Sequence, residues 1–256
     1  MDALVLAGGK PEPDDDLFPY TQGQPKALIK MGERTMLERV IDALQSSSQI
    51  EEIVVVGLGH DHGQTFMRPV HHVPDQGSMI ANGTAGINYL YRLNPTPRYI
   101  IGASADIPSL TGEIIDRLIE TCRPFHYSLY YTLVTQEVME KRFPNSRRTY
   151  VQLKNLFVAG GDMFIFHTDL VKTNPRLMEA LSNARKHAWQ LARIVGFKTL
   201  LKFLFHRLTL EEVEATGGRL IDGSVKTILF PHAELAMDAD KPHQVEVLQA
   251  QFIAVQ

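Results

Sequence analysis

Along the first half of the chain, short apolar and β-branched runs alternate with segments whose apolar residues recur every three or four positions. That is the pattern of βαβ units building a mostly parallel sheet. The first run, Ala3 to Ala7, ends at Gly8-Gly9 and leads into a polar, proline-bearing loop. Thr35-Met36-Leu37-Glu38 then has capping-box spacing, and Leu37, Val40, Ile41 and Leu44 share one helical face. Glu52 to Gly57 reads as a buried strand, Val70 to Val73 as a short one, and Ser78 to Leu93 as a helix. Arg98 to Ala105 reads as a further strand, closed by Asp106-Ile107-Pro108, and Thr111 caps a helix running through Cys122. The expected order over this half is β-α-β-β-α-β-α.

From His126 the pattern changes. Strands at Tyr127 to Val134, Thr149 to Leu153 and Leu156 to Ala159 suggest hairpins beside the parallel sheet, with Gly160-Gly161 at a hairpin end. Pro175 to Lys186 and Leu191 to Leu208 are strongly periodic, and Thr209 to Glu212 opens another helix with a capping box. Val225 to Phe230 reads as a strand and Pro242 to Phe252 as a closing helix with proline in its first turn. The reading is one domain over residues 1–256, with a helical elaboration at about 175–216.

Composition narrows the classes. At 256 residues, 44% hydrophobic and 21% charged, the chain is long enough for a full core and is neither disordered nor fibrous. A net charge of −3 argues against binding polymeric nucleic acid through the overall field. A single cysteine, Cys122, permits no internal disulfide and no cysteine-based zinc site. The start runs directly into the first strand without a basic, apolar leader, and Leu191 to Leu208 is interrupted by five basic residues; the expectation is a cytoplasmic protein with no membrane span. The apolar stripe of that last segment suits core packing or contact with a second copy of the chain.

Three stretches carry candidate chemistry. Leu6-Ala7-Gly8-Gly9 lets backbone N–H groups approach a phosphate, and Lys26 in Pro25-Lys26-Ala27-Leu28 offers a point charge; a plain tight turn is the alternative. Asp106 stands at the carboxyl end of a buried strand, where open α/β folds bind ligands and where magnesium finds a hard oxygen; a turn before proline is the alternative. Asp238 and Asp240 stand two apart in an extended stretch, so both could face one cation, or one could cap the closing helix. A P-loop is absent, since Gly9-Lys10 is followed by Pro11. Gly57-Leu58-Gly59 follows a strand but leads into no helical periodicity, which disfavours a dinucleotide fold. His60, His62, His71 and His72 have no supporting cysteine, and zinc is not expected there.

LAGG, PKALIKMGERTMLERVIDAL, SADIP and MDADKPHQVEVL occur here in one order across nearly the whole chain, and in this the sequence resembles the MobA-like nucleotidyltransferases. The resemblance implies a three-layer α/β/α protein with a mixed, mostly parallel sheet of the glycosyltransferase-A-like, nucleotide-diphospho-sugar transferase type. It implies transfer of an NMP group from an NTP to a small phosphorylated acceptor with release of pyrophosphate, using Mg²⁺ or Mn²⁺. By position Leu6, Ala7, Gly8, Gly9 and Lys10 would cradle the nucleotide, Lys26 would contact phosphates, and Ser104 would line the same site. Asp106 and Asp240 would hold the metal, with Asp238 a third carboxylate. Gln76, Gly77, Ser78 and Asn82 are expected at the base or ribose, and Lys154, Gly160 and Gly161 at the acceptor, with Tyr150 nearby.

The sequence departs from the family where it usually carries an arginine for the triphosphate. Here the loop reads Lys10 to Asp16 with four acids and has no arginine before Lys26. The missing arginine makes a non-catalytic nucleotide-binding module one alternative, and the shared fold makes a nucleotide-sugar glycosyltransferase another, although Ser104-Ala105-Asp106 has one acid where that class wants a pair.

Overall fold

The structure is a computed structural model and describes residues 1–9, 11–59, 63–170 and 195–253. Its strands are β1 (Asp2–Leu6), β2 (Lys30–Met31), β3 (Arg34–Thr35), β4 (Ile53–Val56), β5 (His71–Val73), β6 (Tyr99–Ser104), β7 (Leu129–Thr135), β8 (Val151–Leu153), β9 (Leu156–His167) and β10 (Val225–Leu229). Its helices are α1 (Phe18–Thr21), α2 (Met36–Ser46), α3 (Met79–Leu93), α4 (Gly112–Cys122), α5 (Gln136–Arg142), α6 (Phe197–Leu204), α7 (Leu210–Ile221) and α8 (Pro242–Ile253).

One mixed sheet orders its strands β10-β7-β9-β6-β1-β4-β5, with β8 paired to β9 outside that path. β1 runs parallel to both β4 and β6, and β4 parallel to β5. β9 enters antiparallel between β6 and β7, and β10 closes the far edge parallel to β7. Period-two alternation splits the parallel half into two layers. Ala3, Val5, Val55 and Ile101 pack towards α2 and α4, whereas Leu4, Val54, Val56 and Ile100 pack towards Ile87 and Leu90 of α3. The α/β/α class and its mostly parallel sheet agree with the sequence.

Local chemistry fixes the helix starts. Thr35 accepts from the Glu38 amide while Glu38 accepts from the Thr35 amide, and Thr209 and Glu212 repeat the arrangement at α7. Thr111 and Ser78 cap α4 and α3 through the amides of Ile114 and Ala81.

The second half differs from expectation in three places. β9 is a twelve-residue central strand and does not stop at Ala159. The hairpin turns instead at Lys154-Asn155, where Asn155 takes the left-handed conformation (φ 59°). Gly160 and Gly161 therefore lie inside β9, where a β-carbon on Gly161 would stand 2.1 Å from Thr132 Oγ1. These glycines admit the crowded side chains of β7 next to an irregularity in the β7–β9 register, a use of glycine in strands that reads in sequence like a turn. The run from Leu191 to Leu208 is not one described helix: residues 191–194 lie outside the described residues, and α6 starts only after Gly196. Leu208 is buried, while Phe197, Leu204 and Phe205 are each more than half exposed. The segment Pro175 to Lys186 also lies outside the described residues.

Candidate active site

The site forms where the carboxyl ends of β1 and β6 lie side by side, with Leu6 opposite Ser104 in register. Past β1 the chain turns through Ala7, Gly8 and Gly9, and the Lys26 amide donates back to the Gly9 carbonyl at 3.3 Å. The amides of Gly8 and Gly9 have no hydrogen-bond partner among the described residues. Donors left open at a strand end suit an anionic oxygen. Gly57, at φ +99°, backs directly onto this turn, and a methyl group there would stand 2.4 Å from the Gly8 Cα.

Lys26 Nζ, mostly buried at 18% exposure, joins the acids. It donates to Asp106 Oδ2 at 2.5 Å and to Asp240 Oδ1, with Asp106 at 16% and Asp240 at 58% exposure. Burial works against the ammonium charge, but the two carboxylates outweigh it and hold its pKa above the ordinary lysine value. Burial likewise favours the neutral form of Asp240, yet Lys26 keeps its carboxyl below the usual range. The backbone couples these segments too, since the Ala239 amide donates to the Asp106 carbonyl at 3.2 Å.

Beside this trio lies a second cation that sequence reasoning missed. Arg148 Nη1 donates to Asp238, and Nη2 stands 3.7 Å from Asp162 Oδ2. Asp162 comes from β9, where that strand runs past the end of β6. Burial, then repulsion from Asp238 and Asp106, pushes its carboxyl up to about 8, only partly opposed by Arg148. Burial also raises Asp238, with Arg148 pulling the other way. For Arg148 the order is the same as for Lys26: burial lowers the pKa, Asp238 overcomes it, and the net direction is up. The sequence signal for Arg148 was slight, an Arg147-Arg148 pair in the loop ahead of β8.

The structure thus joins Lys26, Asp106 and Asp240 directly, and gives Asp238 a different cation from Asp240. Four carboxylates face two cations, and the described residues hold no group of three His, Cys, Asp or Glu gathered around one point as a metal needs. A divalent cation nevertheless fits the donor set. Asp106 Oδ1 is buried and has no hydrogen-bond partner among the described residues, and a hard oxygen left free in this way suits a divalent cation.

On the other side of Gly8, Asn82 donates to Asp75 Oδ1 at 2.8 Å and accepts from the Gln76 amide at 2.7 Å. Asn82 is buried, so its amide locks the 75–82 turn beside Gly8 and does not stand free at a base edge. Gln76 and Gly77 remain exposed on the same turn, and Ser78 caps α3. Lys154 is exposed at the β8–β9 turn, its amide bound to the Leu208 carbonyl, and its ammonium forms no ion pair with any described residue. Lys10 lies outside the described residues, as do His60 and His62. His71 contacts Glu52 and Tyr89, and His72 the Leu58 carbonyl.

A glycine turn, a lysine and acidic side chains at the carboxyl ends of parallel strands place the protein among nucleotide-handling α/β proteins. The chain belongs to the MobA-like NTP transferase family, whose domain matches residues 3–235, and it is accordingly a nucleotidyltransferase. A hypothetical transferase from Thermus thermophilus shares 30% identity and a TM-score of 0.81, over 95% of this chain and 98% of that one. A CMP:2-keto-3-deoxy-manno-octonic acid synthetase complexed with CTP superposes with a TM-score of 0.58 at 9% identity, over 100% of both chains. The 2-C-methyl-D-erythritol 4-phosphate cytidylyltransferase from Thermus thermophilus does so at 0.51 and 14% identity, over 98% of both. These last two share the fold with this chain. No helix among the described residues is long and apolar enough to cross a membrane.

Proposed function

We propose that the protein transfers a nucleoside monophosphate from an NTP to a small phosphorylated acceptor in the presence of Mg²⁺. The observation that carries this reading is the Lys26 ammonium held between Asp106 and Asp240 beside a glycine turn with open amides. An acceptor phosphate oxygen attacks the α-phosphorus, the bond from that phosphorus to the bridging oxygen breaks, and pyrophosphate leaves with the electron pair. Charge grows on the oxygens around phosphorus, so the protein's work is positioning and electrostatic stabilisation; no side-chain nucleophile is needed.

Within that scheme Gly8 and Gly9 donate their amides to phosphate oxygens, and Lys26 turns its ammonium from the carboxylates to the triphosphate. Asp106 and Asp240, with Asp238 as a further carboxylate, would hold Mg²⁺, which supplies positive charge to the reacting phosphates. Gln76 and Gly77 line the base side on a turn made rigid by Asn82. Arg148 brings a second side-chain cation to a site whose nucleotide loop has no arginine before Lys26. This supports catalysis over passive nucleotide binding.

The test is pyrophosphate release from each of the common NTPs with Mg²⁺ and a panel of sugar phosphates and phosphorylated cofactor precursors. Release with one NTP and one acceptor, lost in Asp106→Ala, is the expected result. A folded protein that binds no NTP with Mg²⁺ refutes the reading.

A further inference from the structure

An open cleft of about 750 Å³ lies between α2, the segment following Asp106, and the last turn of α8. A neighbouring cleft of about 550 Å³ shares Arg34, Arg39, Ser109 and Phe252 with it. Both are separate from the glycine turn and the Lys26 cluster.

Two arginines line both clefts and differ in what they have left to give. Arg34 is spent: its Nε and Nη2 donate to the two oxygens of Asp42 at 3.1 and 2.7 Å, and Nη1 to Thr65 Oγ1 at 2.9 Å. Arg39 uses only Nε, which donates to the Met31 carbonyl at 2.7 Å, and it forms no ion pair with any described residue. Its guanidinium lies 3.6 Å from the centre of the Phe252 ring. Burial lowers its pKa and the neighbouring Arg34 adds to the fall, with Asp42 and Glu38 opposing them only in part. A guanidinium fixed at Nε and stacked on a ring presents a planar edge of two Nη groups, which matches one carboxylate.

The remaining walls set the rest of the ligand. Phe66, Met67 and Leu110 offer apolar surface beside that edge; Asp42 is taken up by Arg34 and Arg142 by Glu234, which leaves the Arg39 edge for one carboxylate, with Glu33 on the rim against a second negative charge. We propose that this cleft binds a small organic monocarboxylate with a planar apolar body, its carboxylate on Arg39, as an effector of the active site. The coupling route is short: Ser109 follows Asp106 by three residues, α8 follows Asp240, and Ser109 Oγ donates to Gln251 Oε1 at 3.0 Å. An occupant therefore rests on the continuations of both segments that carry the carboxylates of the Lys26 cluster. The effector half rests on the nucleotidyl-transfer reading; the binding half does not.

Benzoate, with benzyl alcohol as its uncharged counterpart, titrated by calorimetry into the full chain, tests the binding half. Benzoate binds, benzyl alcohol binds at least about tenfold more weakly, and Arg39→Gln costs benzoate at least about tenfold. Because Arg39 also holds Met31, the exposed rim gives an independent check: Met67→Lys tightens benzoate and Met67→Glu weakens it. Equal affinity for the two compounds, benzoate affinity unchanged in both rim variants, or no benzoate binding by folded protein at on the order of 10 mM overturns the site. For the effector half, saturating benzoate changes the rate of pyrophosphate release, and Arg39→Gln abolishes that response. An unchanged rate at saturation, with benzoate bound and transfer intact, overturns the coupling alone.

Discussion

Replacing Lys26 by methionine keeps most of the side chain's volume and removes the charge that joins Asp106 to Asp240. The Asp106 contact is the costly loss, because both partners are mostly buried and the bond is 2.5 Å long. Breaking a buried ion pair from one side costs about 3–5 kcal/mol, and a charge-assisted hydrogen bond contributes about 1.5–3. Asp240, at 58% side-chain exposure, turns to water and adds at most about 1 kcal/mol. The expected loss in EDTA is therefore about 3–6 kcal/mol, read from urea denaturation followed by tryptophan fluorescence or circular dichroism. Mg²⁺ should return part of it, since the variant offers unopposed carboxylates: at ten times its dissociation constant the ion adds about 1.4 kcal/mol. Lys26→Met/Asp106→Asn should be more stable than Lys26→Met alone, because removing both partners leaves no orphaned charge. A loss in EDTA below about 0.5 kcal/mol, or greater stabilisation of the wild type than of the variant by the same Mg²⁺ concentration, refutes this account of the cluster.

The same variant should lose about 10²-fold or more in pyrophosphate release, measured at saturating NTP, as expected when a charge on the reacting phosphates is removed. Gly57→Ala should cost about 2–5 kcal/mol, combining the left-handed backbone with the 2.4 Å approach to Gly8, and should weaken NTP binding in a thermal-shift assay. Asp162 keeps its proton in the folded protein up to about 8 while an unfolded aspartate loses its proton near the ordinary value of 3.8. Stability should therefore fall as pH rises between those values, and Asp162→Asn should flatten its share of that fall, as urea midpoints at several pH values would report. Thr35→Ala should lower stability by about 1 kcal/mol through loss of the α2 capping box, without changing NTP affinity.

The parallel half of the fold could be read from the chain because its signals are local. Leu37, Val40, Ile41 and Leu44 all prove buried on one face of α2, and Thr35, Thr111 and Thr209 all cap the helices they precede. Asp106 and Asp240 were also legible, one at a strand end and one just ahead of the closing helix that the apolar pattern locates, whereas Lys26 stands in a loop and only its short motif singles it out. What escaped depends on partners distant in sequence. Gly160 and Gly161 imitate a turn, and only the crowding of Tyr131 and Thr132 shows why a strand interior requires them. Arg148 meets Asp238 across ninety positions, and nothing in its own neighbourhood announces that pairing. Asn82 offers the same groups to a base as to Asp75 and Gln76; its burial decides between them.

The position of β9 also bears on how the protein is made. During synthesis from the N-terminus, β1, β4, β5 and β6 can assemble with α2, α3 and α4 as soon as residue 122 has emerged. Tyr99 to Ala103 of β6 then present an open, apolar strand edge until residues 163–167 arrive to pair with them, more than forty residues later. An edge of this kind is a template for pairing with another nascent chain. The strand that brings Asp162 beside the Lys26 cluster is thus also the one that closes an open border of the half-made sheet.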